Sequence, residues 1–306
     1  MKIYNNLIIN KKHQGGVVAI GNFDGIHLGH QKVINQARQK AKKNNLPFGL
    51  ITFEPIPTLF FNKKIKNYRI NSLLQKKDQL KEFKLDFMII INFSKNFSKL
   101  SAEKFIQKVI FKKVKCKFLY VSNNFKFGFK RQGNIHLLKK HSKLLNYKTI
   151  ITSPLRKKTK VISSTIIRKK ISKGKINEVN KLLNRSWCIQ GKVIKGHQRG
   201  RKIGFPTCNI KILDYVVPKL GVYGVSVKNT KFQRKGIANI GYRPTFNGQN
   251  LLLEVNIFGI NKNLYNKEIS VNFIKFIRPE KKFKNLEQLK KQIKIDIIRA
   301  KTNVQR

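Results

Sequence analysis

Residues 17–30 read VVAIGNFDGIHLGH, and this stretch predicts how the first half of the chain folds. It passes from a short apolar run, through a turn with several glycines, into residues with helical spacing. A buried strand that enters a helix in this way leaves free backbone N–H groups at the start of the helix, where the helix dipole also favours an anion. The stretch therefore predicts a phosphate-binding turn at the carboxyl end of a strand.

The same alternation of short apolar runs and longer helical stretches continues to about Asn184. Buried strands are predicted at Val17–Ile20, Gly49–Phe53, Phe87–Asn92, Phe118–Ser122 and Thr149–Thr152. Helices are predicted at Gln31–Asn44, Leu73–Phe83, Ala102–Val114, Ile135–Leu145, Thr165–Ser172 and Ile176–Leu183. Strands that alternate with helices indicate an α/β domain whose parallel sheet is covered on both faces.

After about Asn184 the pattern changes to strands separated by Gly, Pro and Asn. These strands are predicted at Ile189–Ile194, Val222–Val227, Gly236–Ile240, Leu251–Phe258 and Ile269–Ile277, and helical spacing returns from Leu286 to about Lys301. This pattern is typical of a small antiparallel β-barrel, here closed by one C-terminal helix. Because 306 residues suffice for two domains, we expect one at 1–184 and a second at 185–306.

The net charge of +54, from 67 Lys and Arg against 13 Asp and Glu, is the most unusual feature of the composition. A charge of this size is common in nucleic-acid-binding proteins. Here the excess is mostly Lys and is spread over the whole length, whereas a dedicated binder concentrates its basic residues and interleaves them with stacking aromatics. We therefore predict no dedicated nucleic-acid partner.

Several protein classes are excluded by the rest of the composition. No apolar run approaches the roughly 18 residues that a membrane span needs, and the N-terminus lacks the apolar region of a secretory signal. The three cysteines, Cys116, Cys188 and Cys208, are far apart and form no CxxC pair, so neither a disulfide framework nor a zinc site is indicated. We expect a cytoplasmic protein without a membrane partner, and the sequence leaves its oligomeric state open.

The histidines of the first stretch suggest its chemistry. His27 and His30 are three residues apart, so both imidazoles can face the same oxyanion from the first helical turn. Gly21, Gly25 and Gly29 allow the backbone to approach a phosphate closely. Nucleotidyl transfer requires little more, because one phosphate attacks another in line and the protein supplies positioning and charge stabilisation.

FDGIHLGH, residues 23–30, resembles the HxGH signature of class I nucleotidyltransferases, in the form found in bacterial bifunctional riboflavin kinase/FAD synthetases. The resemblance implies a Rossmann-like FMN adenylyltransferase domain in which His27 and His30 are catalytic. It also implies ATP contacts from Gly21, Asn22, Phe23, Asp24, Gly25 and Gly29. ISSTIIR, residues 162–168, resembles the second ATP motif of the family and implies phosphate contacts from Ser163, Ser164, Thr165 and Arg168.

One position departs from the family pattern in this half. After the strand around Val121, relatives continue Gly-x-Asp-Phe-x-Phe-Gly, whereas residues 122–128 read SNNFKFG, so Asn124 stands in place of Asp. An amide keeps hydrogen-bonding capacity but loses the charge. A weaker contact with flavin or adenine is therefore expected at Asn124.

GHQRGRKIGFPTCN, residues 196–209, resembles the riboflavin kinase motif GxxxGRxxGxPTxN. The resemblance implies a loop over ATP phosphates formed by Gly196, Gly200, Arg201, Gly204 and Pro206. Thr207 and Asn209 lie two residues apart, so on a strand their side chains share one face. Oxygen ligands at such positions suit Mg²⁺ bridging the phosphates of ATP.

The family resemblance continues along the barrel, through GVYGV at 221–225, ANIGYRPTF at 238–246, LEV at 253–255 and RPEKKF at 278–283. It implies a small antiparallel six-stranded β-barrel with a C-terminal helix. Glu254 aligns with the general base that takes the proton from the ribityl hydroxyl. Relatives often have Asp at the position of Gly259 and Gly at the position of Asn266. The implied substrates and products are riboflavin, FMN, FAD and ATP, with Mg²⁺ as cofactor.

Two alternatives stay open at this point. One is an adenylyltransferase whose kinase barrel has degenerated, and the other is a basic nucleic-acid-binding protein on a nucleotidyltransferase-like fold. The presence of Thr207, Asn209 and Glu254 argues against the first alternative, and the diffuse charge argues against the second.

Overall fold

The structure, a computed structural model, describes residues 1–157, 159–196, 198–245, 248–260 and 262–303. His197 and Phe246, from the two barrel motifs, lie outside these ranges. One unit of the chain comprises Met1–Ile65 and Leu73–Ser163, and the other comprises Lys66–Ser72 and Ser164–Arg306. The boundary between residues 184 and 185 stays a prediction.

The first unit contains a parallel six-stranded sheet in the order β1-β4-β3-β2-β5-β6. Its strands are β1 (Lys2–Tyr4), β2 (Val17–Ile20), β3 (Phe48–Glu54), β4 (Phe87–Asn92), β5 (Phe118–Ser122) and β6 (Lys148–Thr152), followed by the short hairpin of β7 (Arg156–Lys157) and β8 (Lys160–Val161). Its helices are α1 (Leu28–Lys43), α2 (Pro57–Phe61), α3 (Leu73–Lys81), α4 (Lys95–Ser98), α5 (Ala102–Phe105) and α6 (Ile135–Leu144). The chain turns to opposite sides of the sheet after β2 and β5, and ligands of such sheets bind beyond the carboxyl ends of the strands at that point.

Strand β2 is buried along its whole length, because helices cover both faces of the sheet. Val18 and Ile20 belong to one hydrophobic core, and Val17 and Ala19 belong to the core on the opposite face with Ile34 of α1. Successive side chains of a strand point to opposite faces, so this short apolar run fills two cores. The turn that is predicted to bind phosphate therefore follows a fully buried strand.

The α/β class is confirmed, whereas some local features differ from the predicted elements. Helix α1 begins at Leu28 rather than Gln31, because His27 caps it. Strand β1 was not anticipated, since three residues are too few for a periodic signal. The predicted helix Ala102–Val114 is α-helical only to Phe105 and continues as a π-helix over Ile106–Val114.

The second unit contains a closed antiparallel barrel with the strand order β10-β13-β12-β11-β14-β9. The predicted barrel class is confirmed, whereas the strand at Cys208–Lys211 is not among those that the sequence pattern predicts. Its strands are β9 (Trp187–Ile194), β10 (Cys208–Lys211), β11 (Gly221–Lys228), β12 (Gln233–Thr245), β13 (Gly248–Ile257) and β14 (Glu268–Arg278). Its helices are α7 (Ser164–Ser172), α8 (Ile176–Leu183), α9 (Arg199–Lys202) and α10 (Leu286–Asn303). Within the described residues, no helix is both long enough and apolar enough to cross a membrane.

An ion pair fixes the C-terminal helix to the barrel. The Asp296 side chain on α10 is only 1% exposed and accepts hydrogen bonds from Nε of Arg278, with Nη2 of the same guanidinium 2.7 Å from Oδ2. Fork-shaped contacts of this kind fix the geometry of both side chains. Arg278 ends β14, so the pair holds α10 against the last barrel strand.

A buried histidine in the first unit predicts a pH dependence of stability. The hydroxyl of Tyr4 lies 2.7 Å from Nδ1 of His13, whose ring stacks on Phe87. Burial, assisted by the charge of Lys12, lowers the pKa of His13 below its ordinary value of 6.5. The unfolded chain therefore binds the extra proton more readily, so the stability from neutral His13 is complete above about pH 6.5 and is lost as the pH falls through the lowered pKa.

Urea unfolding of the wild type and of His13→Gln between pH 7.5 and 5 checks this expectation. The loss of unfolding free energy on acidification should be smaller in His13→Gln. The matched control is His136→Gln at an exposed histidine, which should keep the wild-type pH dependence. An identical pH dependence in His13→Gln and the wild type would contradict the assignment.

Candidate active sites

The turn between β2 and α1 has an unusual backbone. Phe23, Gly25 and Ile26 all have positive φ angles, of 47°, 86° and 40°. Left-handed backbone is unfavourable for Phe and Ile, and it persists only where surrounding contacts fix it. Both side chains are buried, which supplies that constraint, and strain of this kind clusters at ligand-binding sites.

Side chains from other elements hold two carbonyl oxygens of this turn. The carbonyl of Asn22 accepts hydrogen bonds from Nζ of Lys76, at 2.8 Å, and from the Thr52 hydroxyl, at 3.1 Å. The carbonyl of Ile26 accepts a hydrogen bond from Nε2 of Gln31 at 2.9 Å. Lys76 and Thr52 were missed by the sequence analysis, because their partner lies 54 and 30 residues away along the chain.

The two histidines lie face to face. The ring centres of His27 and His30 are 3.7 Å apart and the planes differ by 17°. Nδ1 of His27 accepts the backbone N–H of His30, so the neutral ring carries its proton on Nε2. A Cβ atom at Gly29 would lie 3.1 Å from the His27 ring, tighter than nearly all such contacts, so a glycine fits there. The structure thus brings the two predicted catalytic side chains together.

The remaining residues predicted for this turn are distributed between open and buried positions. Asn22 is exposed and Gly21 is half-buried, whereas Asp24 and Gly25 are buried. A Cβ atom at Gly21 would contact the ring of Phe23 at 3.4 Å. The backbone between Gly21 and His30 is therefore packed closely.

The second predicted ATP segment spans the end of the first unit and the start of the second. Ser163 directly precedes α7, whose first turn contains Ser164 and Thr165. Arg168 lies one turn later, where its Nε donates to the Tyr68 carbonyl at 2.8 Å and its guanidinium carbon lies 3.7 Å from the centre of the Tyr68 ring. The contacts with Tyr68 were not predicted, and they fix the direction of the Arg168 side chain.

A cluster of phenylalanines follows the carboxyl ends of β3 and β4. Phe93 comes directly after β4, and its ring centre lies 6.1 Å from Phe53, 5.3 Å from Phe60, 5.7 Å from Phe61 and 5.6 Å from Phe97. The side chain of Phe61 is 68% exposed, so the cluster presents an open aromatic surface. The sequence does not predict this cluster, because each phenylalanine taken singly resembles an ordinary core residue.

Asn124 lies in the loop that follows β5. It is exposed, and its side-chain oxygen accepts a hydrogen bond from the Ser122 hydroxyl at 2.9 Å. The amide is therefore oriented by a neighbour in the same loop, although it lacks the charge of an aspartate.

In the barrel, three adjacent strands place polar residues in one row. Glu254 of β13 is directly opposite Asn209 of β10 on one side and Asn239 of β12 on the other. Directly opposite residues have Cβ atoms about 4.5–5.5 Å apart, with their side chains on the same face. Asn239 also donates from Nδ2 to Glu280 at 3.4 Å. The predicted base and one predicted metal ligand are thus neighbours.

The side-chain oxygen of Asn209 is the most informative atom of this row. Asn209 is 6% exposed, and within the described part of the chain its Oδ1 is buried without a hydrogen-bond partner. A buried polar atom of this kind costs free energy unless a ligand or ion satisfies it. Thr207 precedes β10 by one residue and is half-buried.

The glycines of the barrel loop allow close packing around Thr207 and Asn209. A Cβ atom at Gly196 would lie 2.1 Å from Nδ2 of Asn209, and one at Gly200 would lie 2.4 Å from the Phe205 carbonyl and 3.3 Å from the Thr207 hydroxyl. Gly204 has φ of 87°. The loop also contains α9, which the sequence did not predict, and Arg201 on it is exposed.

Two further contacts define the edges of this region. The carbonyl of Pro206 accepts a hydrogen bond from Nδ2 of Asn256, which ties the end of the loop to β13. Gly259 and Asn266, the two positions that depart from the family pattern, have left-handed backbone with φ of 70° and 63°. Gly and Asn adopt this backbone more readily than other residues, so both fit their turns.

Comparison with known proteins identifies both halves of the chain. The family described as FAD synthetase matches residues 9–166, and the family described as riboflavin kinase matches residues 183–304. Relatives described as bifunctional riboflavin kinase/FMN adenylyltransferase are 42% identical in Buchnera aphidicola subsp. Schizaphis graminum, with 94% of each chain covered, and 39% identical in Haemophilus influenzae, with 95% covered. A crystal structure described as a macrolide-efflux protein from Streptococcus pneumoniae is 30% identical over 98% of each chain, with a TM-score of 0.85.

Proposed function

The chain belongs to the family of bacterial bifunctional riboflavin kinases/FMN adenylyltransferases, and from this premise we propose that it phosphorylates riboflavin to FMN and adenylylates FMN to FAD, using ATP in both reactions. We assign adenylylation to residues 1–184 and phosphorylation to residues 185–306. The observation that carries this assignment is that each half combines its own family match with its own set of polar residues, His27 with His30 in one and Asn209 with Glu254 in the other.

In the adenylylation reaction, a phosphate oxygen of FMN attacks the α-phosphorus of ATP, and the bond from that phosphorus to the pyrophosphate breaks. The nucleophile is already ionised, so the site needs positioning and charge stabilisation rather than a base. The turn Gly21–Gly25 with Gly29 contributes backbone N–H groups, and His27 and His30 donate to the developing charge. Ser163, Ser164, Thr165 and Arg168 are proposed to hold the departing pyrophosphate.

The phenylalanine cluster after β3 and β4 is proposed to hold the flavin ring. The isoalloxazine is flat and aromatic, and aromatic side chains stabilise such rings by stacked and edge contacts. The exposed ring of Phe61, supported by Phe60 and Phe93, supplies a surface of this kind at the edge of the sheet where ligands bind.

In the phosphorylation reaction, the ribityl 5′-hydroxyl attacks the γ-phosphorus of ATP while the bond to ADP breaks. Glu254 is proposed to accept the hydroxyl proton, and the loop of Gly196, Gly200, Arg201, Gly204 and Pro206 covers the phosphates. A Cβ atom at Gly196 or Gly200 would clash with neighbouring atoms, so glycine is required for the packing of this loop. Asn239 lies directly opposite Glu254, and its Nδ2 donates a hydrogen bond to Glu280.

Thr207 and Asn209 fit a magnesium ion. The buried Oδ1 of Asn209 requires a partner, and hydroxyl and amide oxygens are suitable ligands for a hard cation. When bound, Mg²⁺ neutralises charge on the ATP phosphates. Thr207 and Asn209 would hold it beside Glu254.

The cellular location follows from the same proposal. ATP is a substrate of both reactions, and Cys116, Cys188 and Cys208 are all present as thiols. Both features are typical of the cytoplasm, which we propose as the compartment. The proposed partners are riboflavin, FMN, FAD and ATP, with no dedicated nucleic acid.

Replacing both His27 and His30 with Ala is expected to abolish FAD formation from FMN while riboflavin phosphorylation persists, because the barrel has its own site. Chromatography of the products from FMN with ATP, and separately from riboflavin with ATP, measures both activities. His136→Ala is the matched control at an exposed histidine. Equal loss of the two activities in a folded double variant would contradict the assignment.

Asn209→Ala is expected to raise the Mg²⁺ concentration needed for riboflavin phosphorylation, because it removes an oxygen ligand. A Mg²⁺ titration of FMN formation measures the shift, and excess Mg²⁺ should restore part of the rate. Adenylylation of supplied FMN should keep its Mg²⁺ dependence. An unchanged titration curve for FMN formation would exclude Asn209 as a ligand.

Glu254→Gln keeps the shape of the side chain but cannot accept a proton. A general base contributes about 10²–10⁴-fold in rate, so kcat for FMN formation should fall by that order while ATP binding and FAD formation from FMN persist. Glu268→Gln, at an exposed carboxylate of β14, is the matched control. A near wild-type kcat in Glu254→Gln would show that another group takes the proton.

A further inference from the structure

Lys76 is a buried lysine whose side chain contacts the turn between β2 and α1. It lies on α3 and is 1% exposed, whereas the next residue, Lys77, is only half-buried. Transfer of an ammonium group out of water is costly unless hydrogen bonds replace its hydration. Lysine is the commonest charged residue of the chain, and lysines are almost never fully buried unless they are paired. The burial of Lys76 therefore indicates that its hydrogen bonds have a structural or functional role.

Two hydrogen-bonding contacts of Lys76 lie at the peptide group that follows Asn22. Its Nζ donates to the Asn22 carbonyl at 2.8 Å and lies 3.4 Å from the Thr52 hydroxyl, which donates to the same carbonyl at 3.1 Å. Thr52 is fully buried on β3. Two donors from different elements therefore converge on one carbonyl oxygen of the turn.

The direction of this carbonyl determines the direction of the next N–H group. The peptide between Asn22 and Phe23 is trans, so its C=O and N–H point in opposite directions. Because the oxygen faces Lys76 and Thr52, the N–H of Phe23 points away from them. A flipped peptide would present a carbonyl oxygen instead of a donor, which would repel a phosphate.

We propose that Lys76, together with Thr52, is a positioning residue for adenylyl transfer, which fixes the Asn22–Phe23 peptide so that the Phe23 N–H faces an ATP phosphate. The inference rests on the adenylylation assigned above to this turn. The positive charge also polarises the peptide, and a polarised N–H is a stronger donor. Gln31 fixes the Ile26 carbonyl in the same manner, so the turn is held at both ends.

Lys76→Met in the full-length chain tests this role. Loss of one preorganised donor costs about 10²–10³-fold in kcat, so FAD formation from FMN should fall by roughly 10²-fold. The KM for FMN should stay within about twofold of the wild type, because the lost contact serves the phosphates of ATP. FMN formation from riboflavin, measured in the same preparation, should be unchanged, and Lys77→Met should match the wild type in both reactions.

A second pair of variants covers the case in which Lys76→Met fails to fold. Thr52→Val removes one donor to the Asn22 carbonyl and should lower kcat for FAD formation, whereas Thr52→Ser keeps the hydroxyl and should restore most of it. The inference is overturned if folded Lys76→Met makes FAD at the wild-type rate, if both activities fall equally, or if Thr52→Val and Thr52→Ser behave alike. A wild type that makes FMN but no FAD would instead refute the assigned adenylylation, and the inference with it.

Discussion

A turn that is proposed to bind phosphate through its backbone N–H groups requires that its carbonyl oxygens be held by other groups. In the first unit, β3 supplies Thr52, α3 supplies Lys76 and α1 supplies Gln31 to meet this requirement. The turn follows a fully buried strand, and two buried apolar side chains keep its backbone in the left-handed region. The parallel sheet therefore acts as the frame that fixes the orientation of a few peptide groups.

In the barrel, the pairing register of the strands determines which polar side chains lie next to one another. Asn209, Glu254 and Asn239 form a row because β10, β13 and β12 pair in a fixed register. A slip by one residue would turn these polar side chains toward the core, which the apolar neighbours Leu253 and Val255 now fill. The register that buries the barrel core is thus the same one that assembles the proposed base and metal ligand.

Much of this architecture is predictable from sequence, because periodicity and turn chemistry are local signals. The strand-to-helix turn, both fold classes and the histidine pair follow from residues close together in the chain. Lys76 and Thr52, the contact of Arg168 with Tyr68 and the cluster around Phe93 do not, because each depends on tertiary proximity. The early start of α1 was missed for a different reason: His27 acts as a helix cap as well as a catalytic candidate.

The central claim is that one chain catalyses two separate ATP-dependent reactions. Residues 185–306 phosphorylate riboflavin, and residues 1–184 adenylylate FMN. Chromatography of the products that the pure wild-type protein forms from riboflavin, ATP and Mg²⁺, with pyrophosphate measured in parallel, tests it most directly. The account predicts that FMN forms first, and that FAD and pyrophosphate then appear in equal amounts. Failure to form FMN from riboflavin, or failure to form FAD and pyrophosphate when FMN is supplied, would contradict it.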